Sequence, residues 1–252
     1  MKKDIKEFIV VLILFVISLG IFYSIVYTVN NAGTDNTKTV KKVKIKEIKK
    51  EEEKEKEVVE PYVNTLPDHR NDYGNQNIMG MIEIPGVLGQ TLITRANDNE
   101  FYLNNNLWNV WDGIGAPYFD FRNVDLDNGR QINIYGHNTQ NMNIIDKLPL
   151  SKTISYLDPN VFNTYKDLYL YTDKAKIHYE IIGVKIIEKS NNYHMTLNFY
   201  DNQDFIDHTN TLLSGSTNRK DVNITNKDRI LVLQTCNYNP QNTLVISIFK
   251  TV

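Results

Sequence analysis

The chain alternates between long apolar runs, one charged stretch and many short, loosely alternating segments. After the basic start Met1-Lys2-Lys3-Asp4-Ile5-Lys6 it is almost wholly apolar from Phe8 to Val29, with no charge before Asp35. At a helical rise of about 1.5 Å per residue that run spans a hydrocarbon core of about 30 Å. It predicts a transmembrane anchor over residues 8–29 behind a cytoplasmic tail of residues 1–7. A cleaved signal peptide is the competing reading. Its apolar region would be shorter, about 7–15 residues, and would end at small residues such as Asn31-Ala32-Gly33. Lys2, Lys3 and Lys6 favour an inside N-terminus, but Lys38, Lys41, Lys42 and Lys44 lie beyond the other end, so charge alone leaves the orientation open. Residues 30–60 read as a linker. Its lysine-rich first half and glutamate-rich second half (Glu51 to Glu53, Glu55, Glu57, Glu60) suit a solvated, partly helical stalk, which Pro61 ends.

From residue 61 to 252 the pattern is that of a globular domain. β-branched and aromatic enrichment with loose period-two alternation predicts strands over Met79 to Pro85, Gln90 to Thr94, Ala116 to Phe121, Gln131 to Tyr135, Leu168 to Thr172, Lys176 to Glu188, Arg229 to Gln234 and Leu244 to Phe249. Short helices fit Glu100 to Leu107 and Met142 to Leu148. A stronger one spans Gln203 to Leu213, where Phe205, Ile206, Thr209, Leu212 and Leu213 form one face. Seven or eight strands with few helices predict a mainly β fold, a closed or nearly closed barrel.

Composition changes this picture little. The formal net charge of -2 over 252 residues gives no reason to expect nucleic acid. No phosphate-binding glycine loop and no paired-cysteine metal pattern occurs, so neither cofactor nor metal is expected. The single cysteine, Cys236, excludes an internal disulfide. It ends an apolar strand, Arg229 to Cys236, ahead of the loop Asn237 to Asn242. Local sequence leaves it either a small buried hydrophobe or a partly exposed reactive thiol. At an ordinary pKa near 8.5 only a few per cent would be thiolate at neutral pH, so a neighbouring imidazole would matter.

Five histidines could supply one. His69 lies in a polar loop, His178 on a strand face with Lys176 and Glu180 that is expected to point to solvent, His194 in a loop and His208 beside Asp207 on a helix. His137, in Tyr135-Gly136-His137-Asn138, follows an apolar strand at a turn. It reads either as a turn histidine bonding backbone or as a base and acid.

Together the two sites resemble the sortase family. Leu233-Gln234-Thr235-Cys236 is similar to its Leu-X-Thr-Cys strand end, and Tyr135-Gly136-His137-Asn138 to its histidine turn. The histidine comes first by about a hundred residues. Asn77 through Pro85, Tyr102-Leu103, Gly115 through Asn123 and Phe199 to Leu213 resemble class B sortases in particular. The likeness runs from residue 74 to the end. It implies a closed eight-stranded sortase-type β-barrel, with an N-terminal helical extension and a helix before the cysteine strand. It also implies a cysteine transpeptidase in which Cys236 attacks a threonine carbonyl in the C-terminal Asn-Pro-X-Thr sorting signal of a surface protein. The thioacyl product would pass to an amine of the cell-wall peptide, with His137 moving the protons. Thr235, Tyr238, Asn242 and Thr243 are the substrate-binding candidates. A single-pass membrane protein with its catalytic domain outside follows, since such an enzyme meets its substrates where they leave the membrane.

One departure stands out. Sortases carry an arginine at the start of the final strand, and Asn237 to Val252 contains none. Asn242 or Thr243 stands roughly in its place. Arg229 lies about 23 Å from the cysteine along the strand and on the opposite face. Arg95, Arg122 or Arg130 could enter from other strands. Losing one oxyanion donor typically costs about 3–4 kcal/mol in the transition state. Slow turnover is therefore expected, with a gain if arginine is placed at 242 or 243. A sortase that binds signals with little turnover and a pilin-polymerising sortase are the alternatives. A papain-like hydrolase would need the cysteine before the histidine. Asn239 to Thr243 also looks like a scrambled sorting signal, but a proline turn is the simpler reading.

Overall fold

The computed structural model describes residues 61–252. The expected tail, anchor and linker over residues 1–60 lie outside the described residues. Among the described residues no helix is long and apolar enough to cross a membrane.

Among the described residues nine strands form one sheet: β1 (Ile78–Ile84), β2 (Leu88–Thr94), β3 (Tyr118–Phe119), β4 (Gln131–Gly136), β5 (Asp167–Tyr171), β6 (Lys176–Glu188), β7 (Asn218–Arg219), β8 (Ile230–Asn237) and β9 (Thr243–Thr251). The order is β5-β1-β2-β3-β4-β8-β9-β6, and β6 pairs back onto β5, so eight strands close a barrel. The two-residue β7 only flanks β6. Closure pairs each of the eight barrel strands on both sides. β2–β3 and β4–β8 are parallel, and the other pairings are antiparallel. Among the described residues four α-helices accompany the barrel: α1 (Leu66–Tyr73), α2 (Phe101–Asn104), α3 (Pro159–Thr164) and α4 (Asn202–Leu213).

Side chains alternate across each strand. On β8, Leu231 and Leu233 enter the barrel core with Ile132, Ile134, Val245 and Phe249. Ile230 and Val232 instead join an outer apolar layer with Ile246, Ile248 and, from α4, Phe205, Leu212 and Leu213. Both faces of β8 are thus buried, which is why its sequence is a continuous apolar run rather than an alternating one.

Several expected elements are shorter than their sequence patterns. The segment Ala116 to Phe121 contributes only Tyr118 and Phe119 to the ladder. Pro117 has no N–H to give, and the Asp120 carboxylate turns the chain by accepting from the Arg122 backbone N–H at 3.0 Å. The helix expected over Glu100 to Leu107 stops at Asn104, and Asn106 then turns the chain by accepting from the N–H groups of Trp108 and Val110. Over Met142 to Leu148 there is only a 3₁₀ turn, Ile145–Lys147. A second 3₁₀ segment, Pro149–Leu157, follows it.

Candidate active site

The parallel ladder between β4 and β8 builds the site. Its register runs from Gln131 opposite Ile230 to Gly136 opposite Thr235. One residue further, His137 and Cys236 are neighbours. Period two puts Asn133, Tyr135 and His137 on the same outer face as Val232, Gln234 and Cys236. Gly136 points the other way, where a Cβ would meet the Leu150 side chain at 2.4 Å. A larger residue there would have to push the Leu150 side chain aside.

The imidazole of His137 and the thiol of Cys236 are the largest influence on each other's ionisation. The His137 Nε2 donates to the Leu103 carbonyl at 2.7 Å. A carbonyl can only accept, so Nε2 carries a proton and Nδ1 is left for the sulfur. That carbonyl is held in turn by a glycine. Gly115 has φ 72°, and its ideal Cβ would lie 2.3 Å from the Tyr102 carbonyl and 2.6 Å from that of Leu103. The Ala116 N–H donates to the Tyr102 carbonyl at 3.0 Å. The loop after α2 therefore folds back onto the helix that orients the histidine.

Cys236 is half-buried and free. The neighbouring His137 imidazole holds the thiol below its ordinary pKa; burial opposes this, and the charge of Lys189 assists it. His137 is raised, first by the thiol and then by the Leu103 carbonyl, again against burial. Both directions favour a thiolate–imidazolium pair.

The strand ends are clasped together. Asn138 Nδ2 donates to the Cys236 carbonyl at 2.8 Å, and the Tyr238 hydroxyl donates to the Asn138 carbonyl at 2.8 Å. Thr235 points away from the cysteine face and is fully buried. Thr243, opposite Asn237 in the ladder, is also buried. Its hydroxyl donates to the Pro240 carbonyl at 2.6 Å and accepts from Asn237 Nδ2 at 2.9 Å, bracing the β8–β9 turn. Asn242 has φ 57° and its carbonyl accepts from the Lys189 N–H at 3.0 Å. The turn also contains the Asn239–Pro240 peptide, which is cis.

The arginines considered from sequence are engaged elsewhere. Arg122 forms a forked pair with the buried Asp120, at 2.8 and 2.6 Å, and Asp120 also accepts from the Tyr135 hydroxyl at 2.8 Å. Arg95 donates to the Asn123 carbonyl. Arg130 bonds Asn202 and lies over the Phe205 ring. Arg229 caps the Leu126 and Gly129 carbonyls at the far end of β8. The other histidines have separate roles. His194 donates to the Gln234 side chain. His208 stacks on Tyr193. His178, expected to point to solvent, is partly covered by Tyr169 and bonds Asp167 at 2.7 Å. Among the described residues no cluster of three or more His, Cys, Asp or Glu could hold a metal.

Sequence reasoning missed three contributors: the Leu103 carbonyl, the Asn138 amide and Lys189. Asn138 stood inside the histidine motif. A backbone carbonyl leaves no signature, and Lys189 approaches only through the sheet.

The chain matches no family model. It is 24% identical to sortase B of Staphylococcus aureus over 71% of each chain. It is 26% identical to sortase B of Listeria monocytogenes over 64% of this chain and 63% of that protein. The crystal structure of Clostridium perfringens sortase B covers 74% of this chain and 98% of its own, at 24% identity and a TM-score of 0.67. A Staphylococcus aureus sortase B–substrate complex superposes over 74% of this chain and 84% of its own, at 21% identity and a TM-score of 0.62. Sortase B complexed with triglycine covers 75% and 87%, at 20% identity and a TM-score of 0.62. The solved structures establish the barrel as the sortase fold, and the curated relatives make this chain a sortase B homologue, a cysteine transpeptidase.

Proposed function

We propose that the chain cleaves a C-terminal sorting signal of Asn-Pro-X-Thr type and transfers the protein to a cell-wall amine, with Cys236 as nucleophile and His137 as acid and base. The observation that carries this reading is the parallel β4–β8 register, which sets the imidazole of His137 beside the only thiol of the chain. The Cys236 sulfur attacks the threonine carbonyl, and the C–N bond breaks as His137 gives its proton to the departing amine. An incoming amine then attacks the thioester. His137 takes a proton from it, and the thiolate leaves. Splitting one acyl transfer into two is ordinary covalent catalysis. The substrate and triglycine complexes of sortase B support a sorting-signal donor and a glycine amine as acceptor.

An open cleft of about 720 Å³, lined by Asn99, Phe121, Arg122, Tyr193, Met195 and Thr196 but by neither Cys236 nor His137, would take only a part of the peptide remote from the scissile bond. Met195 packs against Tyr118 and Tyr135, which joins that cleft to the His137 face of β4. Residues 8–29 anchor the enzyme in the membrane, with residues 61–252 as the catalytic domain outside. In peptide cleavage, Cys236→Ala should lose all turnover. His137→Ala should lose about 10²–10⁴-fold, while variants of His69, His178, His194 and His208 keep most of it. Residual turnover in Cys236→Ala overturns the thiol mechanism, and a greater loss at another histidine reassigns the base.

A further inference from the structure

The guanidinium expected at the start of β9 is missing, and the sheet brings another cation to the same face. Across β6, β9 and β8, Ile187 is opposite Leu244, which is opposite Cys236. Glu188, Thr243 and Asn237 form the next row. The Lys189 N–H bonds the Asn242 carbonyl at 3.0 Å, extending the ladder one residue past β6. Period two then returns Lys189 to the face of Ile187, Leu244 and Cys236, which meet in one apolar cluster. Two strand spacings of about 4.8 Å and two rises of about 3.4 Å separate the Cα atoms of Lys189 and Cys236. A four-carbon stem covers much of that span and keeps its ammonium in water.

We propose that Lys189 supplies the positive charge of this site in place of the absent arginine, stabilising the Cys236 thiolate and the negative oxygen formed when it attacks. The inference rests on Cys236 being the nucleophile. The ionisable groups facing the sulfur are His137 from β4, Lys189 beyond β6, Tyr118 from β3 and Tyr238 from the β8–β9 turn. Both tyrosines are raised above their ordinary pKa and stay neutral. Lys189 and His137 are thus the cations of this set, and Lys189 acts from an exposed position.

The lone cysteine allows a direct test in the purified full-length chain. Iodoacetamide alkylation would be followed against pH in wild type, Lys189→Met and Lys189→Arg, alongside kinetics on an Asn-Pro-X-Thr peptide. Lys189→Met should slow alkylation at pH 7 by about two- to fourfold, as suits an exposed charge. It should also move the thiol titration upward and lower kcat more than it raises KM. Lys189→Arg should restore both, and 1 M salt should shrink the difference. An unchanged titration in Lys189→Met overturns the proposal, as does a Lys189→Arg variant that behaves like Lys189→Met. If no variant cleaves the peptide but the titration still shifts with charge, the substrate reading fails and the role of Lys189 at the thiolate stands.

Discussion

At Cys236 burial works against ionisation, and the imidazole of His137 works for it. The neighbouring group has the larger effect in each case, so the thiol lies below its usual range while the histidine lies above its own. These shifts belong to the pair, which titrates as a unit. Replacing His137 with Gln removes the charge that favours the thiolate. The thiol titration should then move upward, and alkylation at neutral pH should slow. An unmoved titration would mean that the imidazole does not set the state of the sulfur. Both residues were legible in sequence because each ends an apolar strand in a recognisable motif. The registration between them was not, since it depends on the parallel pairing of β4 with β8. Thr243 shows the reverse limit. The sequence offered it as a stand-in for arginine, whereas the folded chain uses its hydroxyl to brace Pro240 and Asn237. An arginine there would break that brace and start from the face opposite Cys236.

The short helix α2 matters more than its four residues suggest. Its Leu103 carbonyl fixes the imidazole, and Gly115 lets the following loop close against it. Gly115→Ala would force a Cβ into two carbonyls and demand a left-handed backbone of an L side chain. It should destabilise the fold by about 1–3 kcal/mol and lower turnover in the fraction that remains folded. Full activity per folded molecule would show that the Leu103 contact does not position His137. Long strands such as β6 were readable from pattern alone. Helix α1 was not: of Leu66–Tyr73 only Leu66 is buried, so no apolar stripe announces it. It is held instead by the left-handed Gly74 cap and by the Arg70 pair with Asp173 at 2.8 Å.

For the molecule as a whole, the outer layer between α4 and the barrel carries a pH liability. His208 is buried against Tyr193 and Phe199, and burial pushes its pKa down to about 4. His194, also buried, is lowered for the same reason. In the unfolded chain a histidine protonates near 6.5. Between about 6.5 and 4 the unfolded state therefore binds more protons, and stability falls as pH falls through that window. Above it the contribution is fully present. The wild-type Tm should drop between pH 6.5 and 4 by several degrees more than that of His208→Gln. Parallel curves would show that His208 does not titrate on unfolding. The closed barrel was legible from strand count and family motifs together. This buried pair was not, because the sequence placed His194 in a loop and His208 beside an aspartate, with no apolar pattern to announce their burial.

The central claim is covalent acyl transfer through Cys236, and the most direct measurement is the mass of the chain itself. The full-length protein would be mixed with an Asn-Pro-X-Thr peptide without acceptor, quenched and digested. The account predicts the acyl fragment up to threonine on the peptide containing Cys236, and its discharge onto triglycine when that amine is added. Turnover without any such adduct, or an adduct on another residue, would contradict it.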